Sequence, residues 1–92
     1  MIALHDILRR GEEIENLIAL NQLAQASKLL LSFVRDFDDK GQYKDESIQI
    51  SQEISQFQAK VAGYSNIERK DIRRKLALRM ISLIENVQQL KA

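Results

Sequence analysis

Apolar residues recur along this chain at helical spacing in four separate stretches, and polar or turn-forming residues divide them. The clearest stretch runs from Ser65 to Leu90, where Ile72, Leu76, Met80, Leu83, Val87 and Leu90 follow one another at steps of four, four, three, four and three. That rhythm lines one face of an α-helix. Ser65 and Glu68 stand in the S-x-x-E pattern of a capping box, in which each side chain satisfies an orphan backbone N–H of the first turn. No Pro or Gly interrupts the run, so the spacing predicts a rod of about 38 Å at 1.5 Å per residue. Such a rod cannot bury its stripe alone, and the remaining chain is expected to fold against it.

The other three stretches supply partners. In the first, Met1 to Leu20, Ile7, Ile14 and Ile18 share a face, with Leu8 and Leu17 on its borders. Gly11 falls on the same face. Either the helix breaks there or a neighbouring backbone approaches closely, because a mid-helix Gly costs roughly 1 kcal/mol. Asn21 reads as an N-cap for a second helix, Gln22 to Phe37, striped by Leu23, Ala26, Leu30, Phe33, Val34 and Phe37. The next residues, DDKGQ, read as a loop in which Gly41 is free to take positive φ. A third helix is expected from Asp45, as N-cap, to Ala62, with Ile50, Ile54, Phe57 and Val61 inward and Ile48 off to one side. Gly63 then reads as a C′ residue leading into the Ser65 cap. Short connections make neighbouring helices antiparallel. The expected architecture is all-α: one domain over residues 1–92, an antiparallel four-helix bundle.

Composition supports that class. Ninety-two residues with no Cys, no Pro and three Gly favour helices, exclude a disulfide scaffold or thiolate metal site, and suit a reducing, cytoplasmic compartment. No signal-peptide pattern or membrane-length apolar run is visible.

Net charge is +1, yet it is divided unevenly. Residues 1–50 carry six Lys/Arg against nine Asp/Glu, and residues 51–92 carry eight against four. The acids cluster as Glu12, Glu13 and Glu15, then as Asp36, Asp38 and Asp39, which read as a solvated helix end. Carboxylates at a helix C-terminus oppose its dipole and hint at a basic partner. The bases cluster as Arg69, Lys70, Arg73, Arg74, Lys75 and Arg79.

Chemistry is not advertised. His5 is the single histidine, with no Cys or second His to complete a metal site. The Asp36 to Asp39 stretch lacks the Gly and bidentate Glu of a calcium loop. No nucleophile–base pair, carboxylate pair or Gly-rich loop is visible. The expectation is therefore a non-enzyme without cofactor or metal. On the last helix, Ile67, Lys70, Arg74, Leu78 and Ile81 fall opposite the core stripe, where a surface helix should be polar. Mixed Arg and apolar residues have the composition of a docking surface, unless the N-terminal segment folds over them.

The segments IENLIALNQLAQASKLLLSF, DESIQISQEISQFQ and AGYSNIERKDIRRKLALRMISLIENV, taken in that order, resemble the type eleven effector-associated domains of bacterial conflict and antiphage defence systems. The matching positions are Leu17–Ala19, Ala26 with Leu29–Leu30, Ile48 with Ser51, Gly63 with Ser65, Ile67–Arg69, Ile72–Arg73 and Ser82–Asn86, spanning about residues 12–90. The chain departs from that pattern in the additional segment Met1–Arg10 and in Asp71. The resemblance implies a helical adaptor that joins a sensor NTPase to an effector, such as a peptidase, by like-with-like contact. On that reading Lys70, Arg74, Leu78 and Ile81 face a partner domain, and Glu12, Glu13 and Glu15 or Asp36, Asp38 and Asp39 form the counterpart. The alternative is a bundle that uses its basic face on nucleic acid or unpacks onto membrane. Near-neutral charge and few aromatics speak against the first. For the second, no basic amphipathic segment is free of acids.

Overall fold

The computed structural model describes residues 4–90, so Met1 to Ala3 at the start of the first predicted helix, and residues 91–92 at the end of the predicted domain, lie outside the described residues. Within them the chain forms four α-helices and no strand: α1 (Leu4–Ala19), α2 (Leu23–Phe37), α3 (Lys44–Ala59) and α4 (Asn66–Leu90). A single 3₁₀ turn, Val61–Gly63, joins the last two.

The helices form an up-down-up-down bundle. Arg10 of α1 pairs with Asp36 of α2, Glu53 of α3 with Arg79 of α4, and Gly11 of α1 lies against Ile84 and Gln88 of α4. These pairings fix neighbours as antiparallel, and α2 and α4 also meet across the diagonal. The core takes most of the predicted stripes: Ile7 and Ile14; Leu23, Ala26, Leu30, Phe33, Val34 and Phe37; Ile50, Ile54 and Phe57; Leu76, Met80, Leu83 and Val87. Ile18 and Val61, read as inward, are only half-buried, Val61 because α3 has ended and the chain has entered the 3₁₀ turn. Phe33 and Phe37 stack tilted, 5.3 Å between centroids. Ile84, which the stripe omits, is fully buried as well, and it widens the inner face of α4 toward α1. At the far ends of the stripe Ile72 is half-buried and Leu90 is exposed.

Three boundaries differ from expectation. Asn21 does not cap α2; it sits at φ 60° as the left-handed residue closing α1. Its N–H donates to the Ile18 carbonyl at 2.9 Å, and that of Gln22 to Leu17 at 2.9 Å, the paired bonds of a Schellman motif. Asn tolerates this conformation better than other non-Gly residues, and the same side chain that suits an N-cap also suits this role. The third helix starts at Lys44, one residue before Asp45, and ends at Ala59 rather than Ala62. Asp45 and Glu46 lie in its first turn, where they favour the dipole. Gly63 belongs to the 3₁₀ turn and does not take positive φ; Gly41 does, at 67°. Helix α1 runs unbroken through Gly11, and the close neighbours are side chains of α4 rather than backbone.

Candidate interaction surface

The start of α4 is fixed by the capping box. Glu68 N–H donates to Ser65 Oγ at 3.2 Å, and Ser65 N–H to Glu68 Oε1 at 2.9 Å. The backbone N–H of Ser65, followed by its hydroxyl, holds the Glu68 carboxyl below its usual pKa. Around this corner Arg69 Nε donates to the Val61 carbonyl at 2.9 Å, Tyr64 stacks on Phe57 with centroids 5.8 Å apart, and the Arg73 guanidinium lies 5.8 Å from the Phe57 ring centre. The 3₁₀ turn is thus tied to both helices, and α4 leaves it with a defined rotation.

That rotation sorts the basic cluster. Arg69, Arg73 and Arg79 turn toward the bundle, the last to pair with Glu53 at 2.6 Å. Lys70, Arg74 and Lys75 turn to solvent. Arg74 and Lys75 bracket Asp71 at 3.1 and 2.9 Å. Their hydrogen bonds, Lys75 first, draw the Asp71 carboxyl below the ordinary aspartate value. Lys70 has no ion pair among the described residues. Between these cations stand Ile67, 82% exposed, and Leu78, 58% exposed, while Ile81 is half-buried. Glu85 shares their side of the helix. It also helps line a surface groove of about 320 Å³ with the exposed Leu4 and Leu8 of α1. From Ile67 to Glu85 this outer face runs about 27 Å at 1.5 Å per residue.

The acidic residues do not stay together. Glu12 and Glu13 face solvent on α1, Glu13 paired with Arg9 at 2.8 Å, and Glu15 is half-buried. Asp36 is met within the chain by Arg10 at 2.7 Å and Arg35 at 3.3 Å; the Arg10 bond foremost lowers its pKa. Arg10 also covers the Phe37 ring, 5.1 Å from its centre. The basic partner that the end of α2 calls for is therefore intramolecular. Asp38 leaves the solvated cluster altogether: it is 6% exposed, and its Oδ2 accepts the Tyr43 N–H at 2.6 Å. Tyr43, the N-cap of α3, makes no side-chain cap bond of its own, and Asp38 ties the loop to that helix start. Asp39 remains exposed. The exposed carboxylates are therefore Glu12 and Glu13 on α1 and Asp36 and Asp39 at the end of α2, with Asp38 withdrawn from that cluster.

No helix of the described residues is long and apolar enough to cross a membrane, and no group of three or more His, Cys, Asp or Glu among them is placed to hold a metal ion. No protein-family model, curated protein or solved structure matches the chain.

Proposed function

We propose that this domain is a protein–protein interaction adaptor whose docking element is the outer face of α4. The observation that carries the reading is the pair Ile67 and Leu78, exposed in line with Lys70 and Arg74 on a helix whose opposite face fills the core. Apolar anchors beside Arg are the composition of energetic centres in interfaces. The occupant we assign is a domain of the same type, presenting the acidic face of α1 with Glu12, Glu13 and Glu15. Opposite charge at the two surfaces supports that choice, since it steers encounter and sets register. Two different surfaces meeting head to tail can also propagate from copy to copy. In a bacterial defence setting, the role is to bring a cytoplasmic sensor NTPase and an effector together through paired domains.

The test is association of the purified domain with itself and with like domains from neighbouring coding sequences, followed by sedimentation as salt is raised. Association weakening with salt, and lost on Leu78→Asp in a folded protein, is the expected outcome. Tighter binding to duplex DNA or anionic vesicles than to any such domain would overturn the adaptor reading.

A further inference from the structure

A second surface lies about 140° around α4, measured from Arg74 to Arg79 at 100° per residue. Here α3 and α4 diverge enough to leave a groove of about 400 Å³. Its floor is Phe57, Tyr64, Ile72 and Leu76, of which Tyr64 and Ile72 are only half-buried. Its rim carries Lys60, Lys75 and Arg79, against one acid, Glu53. Arg79 holds Glu53 at 2.6 Å, so that acid is neutralised across the helix pair. Lys60 is exposed with no ion pair among the described residues. Lys75 has three donors and commits one contact to Asp71.

We propose that this groove is a peptide-docking site, and that its occupant is an acidic segment of a partner protein carrying one large apolar side chain flanked by carboxylates. Charge complementarity assigns the occupant. An uncharged apolar segment would cover Lys60 without giving it a partner, and a basic segment would meet like charge on both walls. The apolar floor gives an anchor a place to bury, and grooves between helices receive helical segments through anchors of this kind. The floor is also held in advance. The Phe57–Tyr64 stack, the Arg69 bond to Val61 and the Arg79–Glu53 pair fix its walls, so little ordering remains to oppose binding. This site does not depend on the pairing role of the outer face, because it uses none of Ile67, Lys70, Arg74 or Leu78.

A random peptide library displayed on phage is selected against the folded domain. The enriched peptide is then titrated into isotopically labelled protein. The expected pool is net acidic with a central Phe, Leu, Ile or Trp, and the amide shifts map to Lys60, Tyr64, Ile72, Lys75 and Arg79. Lys60→Glu combined with Gln56→Glu, two exposed groove positions on the α3 side, shown folded by circular dichroism, weakens that peptide by at least about tenfold and leaves pairing with a like domain unchanged. Loss of both activities together would mean that the two surfaces are one, against the proposal. No enrichment, a neutral or basic pool, or shifts confined to other faces would overturn it. So would a short oligothymidylate that binds this groove more tightly than the selected peptide.

Discussion

Replacing Gly11 with Ala should destabilise the protein, although in most helix interiors the same change stabilises. The usual gain is about 1 kcal/mol, because Ala loses less backbone freedom than Gly. Here a β-carbon on Gly11 would press into the Gln88 amide nitrogen and stand 3.0 Å from Ile84 Cγ2. The Gln88 amide is the far end of a flexible chain and can swing away, giving up only a long 3.5 Å bond to the Ile7 carbonyl. Ile84 has no such freedom, being fully buried. Overpacking of that kind costs about 1–3 kcal/mol, and with the lost hydrogen bond the net for Gly11→Ala is a destabilisation of about 1 kcal/mol. Urea unfolding with an unchanged slope measures it directly. The sign should reverse in an Ile84→Ala background, where the obstructing methyl is gone and the helix gain of about 1 kcal/mol returns. A parent protein stabilised by Gly11→Ala would refute the α1–α4 packing described above.

Three further outcomes follow from the same contacts. Leu83→Ala empties a fully buried position and should cost about 2–5 kcal/mol in urea, while circular dichroism remains that of a helical protein. Ser65→Ala removes the acceptor of the Glu68 N–H and should cost about 1 kcal/mol; an unchanged midpoint would place the start of α4 elsewhere. Asp36, Glu68 and Asp71 all have folded pKa values below their ordinary 3.8 and 4.5, so the stability they contribute is present above those values and lost as pH falls through the lowered ones. The urea midpoint should therefore drop on acidification below about pH 4.5, and Asp36→Asn should flatten the fall. A midpoint that rises over that range would contradict the assigned pairs.

The four stripes were legible because burial demands apolar residues at fixed spacing, and every position read as the interior of α2 is buried. Turn chemistry was less so. Asn suits both a helix start and a left-handed helix end, and only the 2.9 Å bonds from Asn21 and Gln22 decide between them. Asp36, Asp38 and Asp39 look alike in sequence, yet Arg10, distant along the chain, takes the first, and the loop folds the second inward to the Tyr43 N–H. The basic cluster divides for a similar reason. Whether an Arg on α4 turns inward depends on what α3 and the 3₁₀ turn offer it: Glu53 for Arg79, the Val61 carbonyl for Arg69 and the Phe57 ring for Arg73. None of those partners lies on the same helix as its arginine. The α3–α4 groove leaves no signature along the chain, because its floor and rim come from two helices whose relative rotation no single periodicity specifies.

The measurement that bears most directly on the adaptor role is a charge exchange across the assigned contact. Single neutralisations are poor probes, since an exposed ion pair contributes only about 0–1 kcal/mol. Lys70→Glu with Arg74→Glu instead places like charges opposite Glu12, Glu13 and Glu15, and the complementary variant turns those three to Lys. Association is followed by sedimentation at low salt, with circular dichroism confirming that each variant is folded. The account predicts that the double reversal abolishes binding to the parent acidic face and that mixing it with the Lys variant restores a substantial part. A folded double-reversal variant that pairs as the parent does would show that the outer face of α4 is not where this domain docks.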